Sequence, residues 1–207
     1  MRIWGIDYGS KLAGTTSIAS IDVDIEKGEP KNGRMQCSVS LNSTVKKQDA
    51  DAFILELAKR DAPELIFLDA PLSLPKAYFG DGTDYFYRPV DRLVGAMSPM
   101  FLGGLTARAM QLCHHLKKHD SGLFIQETYP KIRAQHLLLI EKGYKKEIKN
   151  MAACVSVLLS ENPEWNLERG PVTWHEFDAL LALSSGVRFV NKKSIAFGEM
   201  GEAQIVV

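Results

Sequence analysis

Apolar and polar positions along this chain sort into short strand-like runs first and helical periods later. Residues 2–6 form a run with Ile3, Trp4 and Ile6, and Asp7-Tyr8-Gly9-Ser10 breaks it, which predicts a buried strand ending in a turn. Residues 15–21 and 35–41 predict two more strands, with a polar turn at 28–33 rich in Gly, Pro and Asn. Three strands joined by short turns imply an antiparallel meander. In residues 49–60 the positions Ala52, Phe53, Leu55, Leu57 and Ala58 follow a helical period, which Ala62-Pro63 stops. Leu65-Ile66-Phe67-Leu68 is apolar throughout; after a helix it reads as a central parallel strand.

Further on, residues 122–126 predict a fifth strand ending at Glu127. Helical periods cover residues 99–118 (weakened by Gly103-Gly104), 130–139, 145–159 and 173–189. Residues 194–197 and 204–207 predict a terminal hairpin. Residues 75–98 are rich in Gly, Asp, Tyr and Phe without a period, and read as an aromatic and basic loop insertion. The expected fold is α/β: one domain over residues 1–207 with a mixed five-stranded sheet, three antiparallel strands then two parallel, flanked by helices.

Composition narrows the function classes. The 25 Lys and Arg residues balance 25 Asp and Glu, which argues against a protein that coats nucleic acid through overall positive charge and leaves a local basic patch open. The three cysteines, Cys37, Cys113 and Cys154, are far apart and form no CxxC pair, so neither a zinc site nor a disulfide framework is expected. Free thiols, an acid as early as Asp7 and the lack of an apolar run approaching about 20 residues imply a cytoplasmic protein without a membrane span.

The chemistry lies in where the acids fall. Three apolar strands end in one: Asp7, Asp69 and Glu127. If these strands are parallel neighbours, the three carboxylates share one sheet edge, where open α/β sheets bind ligands. A fourth acid, Asp178, lies in Trp174-His175-Glu176-Phe177-Asp178, with His175 one turn earlier on the same helical face. Clustered carboxylates repel unless a cation or proton relieves them, and hard oxygen donors suit Mg²⁺ or Mn²⁺. Such ions serve phosphodiester cleavage. The plainer alternative is that Asp after a strand caps a turn or a helix.

The segments Gly5-Ile6-Asp7-Tyr8-Gly9, Leu68-Asp69-Ala70-Pro71-Leu72-Ser73-Leu74-Pro75, Glu127-Thr128-Tyr129-Pro130 and His175-Glu176-Phe177-Asp178-Ala179-Leu180 occur in that order. Together with Arg88-Pro89-Val90-Asp91-Arg92 and the closing Gly201-Glu202-Ala203-Gln204-Ile205, this set resembles a widespread family of uncharacterised proteins predicted to be RNase H-like nucleases. The Asp7 strand and the last helix are also distantly similar to RuvC-type Holliday-junction resolvases. The resemblance implies an RNase H-like fold, metal binding by Asp7, Asp69 and Asp178 and a nucleic-acid substrate; Glu127 falls on a motif of the family without an established role there, and the catalytic role expected of it here is to bind metal or orient water. It departs at His175, which stands where RuvC-type proteins often place a second helical acid.

Lys11, Arg88, Arg92, Arg133 and His175 are candidate substrate contacts, Arg88 alternatively pairing with Asp91. The aromatic residues between Tyr78 and Tyr87 either stack on bases or anchor their loop. The basic run from Lys142 to Lys149 reads as a solvated helix start, His136 as core or interface, and His114, His115 and His119 as surface. Two alternatives to a nuclease remain at this stage. Asp7-Tyr8-Gly9-Ser10 with Gly14-Thr15-Thr16 faintly resembles the first phosphate loop of actin- and hexokinase-like phosphotransferases. A non-catalytic binding module of the same fold is the other. A twofold homodimer is the default assembly.

Overall fold

A computed structural model describes residues 1–23, 36–199 and 203–207. The predicted turn at 28–33, Met35 and the tip of the closing hairpin lie outside the described residues. The central sheet is mixed and has six strands, β1 (Arg2–Asp7), β2 (Ser17–Asp22), β3 (Cys37–Ser43), β4 (Leu65–Asp69), β5 (Phe124–Glu127) and β6 (Trp165–Leu167). Their order is β5-β4-β1-β2-β3-β6. β1, β2 and β3 form the antiparallel meander, and β4 and β5 add in parallel on the other side of β1. The expected five strands are corrected to six. Trp165-Asn166-Leu167 pairs in parallel with β3, and three residues are too short to display a period. The C-terminal hairpin forms from β7 (Ala196–Phe197) and β8 (Ile205–Val206).

The helices are α1 (Ala50–Asp61), α2 (Pro89–Val94), α3 (Pro99–Leu102), α4 (Gly104–His119), α5 (Pro130–His136), α6 (Met151–Glu161) and α7 (Trp174–Val190). Asp49 caps α1 by accepting from the Asp51 and Ala52 amides, and Ala62 ends it in a left-handed conformation. The single helix expected over 99–118 is broken at Gly103 (φ 47°) into α3 and α4. Residues 145–150 are turn and 3-10 helix, so α6 begins six residues later than its period suggested. Residues 75–98 carry a 3-10 turn and α2 rather than loop alone, because Pro89 fixes a helical first residue. The rings of Tyr78 and Tyr85 meet edge to face, Phe86 and Tyr87 pack on Phe101, and Arg92 lies over Tyr87.

Side-chain alternation divides the core into two layers. Ile3, Leu65, Phe67, Ala19 and Val39 face α7 and α6, while Trp4, Ile6, Ile66 and Leu68 face α1 and α4. α7 is the central helix, buried from Glu176 through Val187. Its N-terminus is held by the Thr173 side chain, which accepts from the Glu176 amide, and by Glu176 itself. That buried carboxylate meets Arg169 at 2.6 Å, the Val172 amide at 2.7 Å and the Ser43 hydroxyl at 3.0 Å.

α7 lies directly on β1, and Gly5 makes that possible. A Cβ at Gly5 would collide with the backbone nitrogen of Leu183 and the carbonyl oxygen of Ala179, neither of which can rotate away. Gly186 repeats the device from the helix side, where an added Cβ would meet Ile3 at 2.8 Å and Phe67 at 3.0 Å. Gly5→Ala is therefore expected to lower unfolding free energy by at least about 3 kcal/mol in urea titrations. Gly104→Ala, where nothing lies within 4 Å, is expected to hold or gain stability in the same assay.

Candidate active site at the strand ends

β1, β4 and β5 are parallel, so Asp7, Asp69 and Glu127 end at the same edge. Asp7 and Asp69 are direct register partners and share a face of the sheet. Counting back by twos from Asp7 and Asp69 gives Gly5, Ile3, Phe67 and Leu65, so that face is the α7 face. Glu127 is the partner of Leu68, which packs with α1 and α4. Register therefore sends Glu127 to the opposite layer. The structure brings Asp7, Asp69 and Asp178 together, while Glu127 starts from the other face of the sheet and reaches the same cavity as Asp7 and Asp69.

Asp178 is fully buried on α7, one turn past His175. The Tyr144 hydroxyl donates to its Oδ1 at 2.5 Å, and the Lys145 ammonium forms an ion pair with its Oδ2. Nδ1 of His175 lies 2.6 Å from Oδ2 of Asp7. Asp69 accepts no hydrogen bond from any described side chain or amide, and it lines a cavity of about 260 Å³ with Asp7, Arg88, Asp91, Glu127 and Tyr129. A roomier groove of about 600 Å³ between α1 and α4 involves Pro63 and Leu123, which precede β4 and β5, so it opens at the opposite edge of the sheet.

The crowding of negative charge shows in the proton affinities. Burial and then the charges of Asp7 and Asp178 raise the Asp69 carboxyl well above its ordinary value. Burial and Asp7 push Asp178 up to about 6, although Lys145 and Tyr144 pull it down. The hydrogen bond to Asp7 raises the His175 imidazole, favouring its cationic form. Burial lowers the Lys145 ammonium, but Asp178, Asp7 and Asp69 outweigh it and the net shift is upward.

Glu127 is held by a buried fork. Arg88 Nη1 and Nη2 donate to its two oxygens at 2.8 and 2.7 Å, and Nε and Nη2 of the same guanidinium also bond Asp91. The Leu72 amide donates to Glu127 Oε2 at 2.9 Å, tying down the Pro-rich segment after β4. Of the candidate substrate contacts, Arg88 is thus enclosed, and its pairing with Asp91 is the alternative the structure displays. Arg133 is also enclosed, bonded to Ser184 and Glu161. Lys11 is exposed and pairs with Asp49 at 3.2 Å, Arg92 is exposed and pairs with Asp84, and His175 is half exposed beside Asp7. His136 is exposed, with its ring near Phe197. In the turn after β1, the Gly9 and Ser10 amides donate to the Thr16 and Thr15 hydroxyls, so these two donors are already engaged.

Tyr144 and Lys145 were not singled out by sequence reasoning. They sit in a basic run that reads as a solvent-facing helix start, and the available signal was local: an aromatic residue and a lysine directly after Gly143. Among the described residues no three His, Cys, Asp or Glu side chains form a ready-made metal cage. No helix among them is long and apolar enough to cross a membrane. No family model matches the chain, and no curated protein or solved structure is significantly similar to it.

Two outcomes follow from this charge layout. Arg88→Met leaves Asp91 and Glu127 buried without their cation, and is expected to cost about 3–5 kcal/mol in denaturant unfolding; an unchanged midpoint would mean that the fork carries no structural load. Carboxyls whose proton affinity rises on folding bind more protons in the folded than the unfolded state, so their contribution to stability falls as pH rises from about 4 through 6. Asp69→Asn removes one of the repelling charges and is expected to raise Tm at pH 7 by about 2–4 °C, with a smaller gain at pH 4, read by calorimetry.

Proposed function

We propose that this protein is a divalent-metal-dependent phosphodiesterase acting on nucleic acid, with Mg²⁺ or Mn²⁺ as its cofactor. The observation that carries the reading is the register pairing of Asp7 with Asp69 at the carboxyl ends of adjacent parallel strands, with Asp178 delivered to the same face by α7. The strand order supports an RNase H-like fold: a meander of three strands, then two strands added in parallel beside the first. The motif resemblance points the same way.

The donors fit a hard cation. Both Asp69 oxygens and one Asp7 oxygen are without hydrogen-bond partners among the described residues, and both side chains line the cavity at the strand ends. When bound there, the ion supplies Lewis-acid charge to the phosphoryl group. The chain's own residues do the rest. Asp7 and Asp69 hold the ion, and His175 fixes the Asp7 carboxylate and keeps a proton beside it. Tyr144 and Lys145 lock Asp178 in one orientation. Glu127, clamped by Arg88, positions the segment after β4 through the Leu72 amide rather than meeting the ion. Lys11 and Arg92, both exposed, are available to phosphate groups once they leave their surface carboxylates.

One observation favours a second reading, a non-catalytic module. Asp178 already has protein groups on both oxygens, a hydrogen bond from Tyr144 on Oδ1 and the Lys145 ion pair on Oδ2. That reading calls for oligonucleotide binding that needs no metal and survives Asp7→Asn.

The deciding assay incubates the wild type, Asp7→Asn and Asp69→Asn with labelled single-stranded, duplex and four-way-junction oligonucleotides of DNA and RNA in Mn²⁺. The expected outcome is cleavage by the wild type that falls at least about 100-fold in each variant while circular dichroism is unchanged. Cleavage that persists in both variants removes the carboxylate mechanism.

A further inference from the structure

Lys145 does more in this site than a surface lysine would. It has φ 58°, the left-handed region that a long side chain rarely adopts. The preceding residue, Tyr144, is anchored by its amide to the Leu139 carbonyl and by its hydroxyl to Asp178. The two consecutive side chains thereby divide one carboxylate between them, Tyr144 on Oδ1 and Lys145 on Oδ2. The ammonium also lies close enough to Asp7 and Asp69 to feel both charges. Its stem is half exposed, while the carboxylate it reaches is buried.

The oxygens left for an outside cation are consequently unevenly placed. Asp178 has Oδ1 hydrogen-bonded to Tyr144 and Oδ2, which accepts no hydrogen bond, covered by the Lys145 ion pair, and Asp7 has one oxygen committed to His175. Only Asp69 keeps both. A two-ion arrangement needs carboxylates on both sides of the pair, and the Asp178 side is already filled by a fixed positive charge. An ammonium and a divalent ion cannot share the same oxygen, and moving Lys145 away leaves its charge unpaired beside a second cation.

Resting on the metal-dependent reading above, we propose that the Lys145 ammonium takes one of the two cation places of the cluster, so that the site accepts a single divalent ion, held by Asp7 and Asp69. The built-in cation supplies charge on the α7 side of the substrate phosphate without metal being recruited there. It also keeps Asp178 aligned in the absence of any ion.

The test counts Mn²⁺ bound per chain by electron paramagnetic resonance and calorimetry, with Mn²⁺ alone as the probe, in wild type, Lys145→Met and Lys145→Arg. The expected result is one ion in the wild type and in Lys145→Arg. Lys145→Met should bind two, with the spin-coupled signal of neighbouring manganese ions. Asp69→Asn should weaken the wild-type ion at least tenfold. Two coupled ions in the wild type would overturn the inference and leave the metal reading standing, as would a single ion in a folded Lys145→Met. An ion that binds only after Lys145→Met would overturn the one-ion count, because Lys145 would then fill the sole place. No ion in any of the three proteins would remove the metal reading itself, and this inference with it.

Discussion

The contact on which the rest of the molecule depends is the close approach of α7 to β1. A helix normally rides on a sheet at the distance set by intervening side chains. Here Gly5 removes the side chain from the middle of β1, and Gly186 removes one from α7, so backbone meets backbone near Ala179 and Leu183. The consequence is positional. Asp7 ends β1 two residues after Gly5, and Asp178 precedes Ala179 on the helix. Lowering α7 onto the strand therefore sets a buried helical carboxylate against a strand-end carboxylate. Thr173 and Glu176 fix where the helix begins, which puts His175 over Asp7.

Two opposite electrostatic arrangements sit on the two faces of the same strand ends. On the α1/α4 face, Glu127 and Asp91 share one guanidinium through bonds of 2.5–3.1 Å, and all three groups also line the cavity at the strand ends. On the α7 face, three carboxylates face one ammonium and one imidazole, and Asp69 has no hydrogen-bond partner among the described residues. The first arrangement is what a structural network looks like; the second leaves an excess of negative charge beside a cavity. Burial makes that excess costly, and perturbed carboxylates of this kind are concentrated at functional sites. The N-terminus of α7 adds a favourable partial charge near Asp7, which softens the repulsion without supplying a full counter-ion.

Much of this was legible in the sequence, and the misses have physical causes. The meander, both apolar parallel strands and the long final helix follow from runs and periods that survive in the fold, since each element buries the side its pattern marks. The acids at the strand ends were visible because a strand that terminates in Asp or Glu breaks its own apolar run. What the pattern could not convey was the facing of Glu127. That depends on the register between β4 and β5, where Glu127 pairs with Leu68 and not with Asp69. A shift of one residue would have moved it to the α7 face. β6 and α2 were missed because three and six residues do not complete a recognisable pattern. Arg88 was open to two interpretations because its partners lie 3 and 39 residues away, and only the nearer one is visible in the local sequence.

Lys145 was hidden for a different reason. In a run of lysines each member has the same local environment, so sequence alone gives no ground for choosing one. The choice is made by the turn after Leu139, which closes through the Tyr144 amide and places Tyr144 inward. With that ring packed against Trp174 and Phe177, the next side chain in a left-handed backbone is turned toward the same helix face. The aromatic contact thus selects which lysine reaches the cluster; Lys145 is exposed along its stem, as are Lys142, Lys146 and Lys149, and its ammonium pairs with Asp178. A buried carboxylate such as Asp178 requires a cation close by when it ionises. Supplying that cation from the adjacent turn makes the pairing local and independent of any dissolved ion. Under the metal-dependent reading proposed above, the site would fold before an ion arrives, and Asp7 with Asp69, which have only the His175 imidazole beside them, would be the part left to bind it.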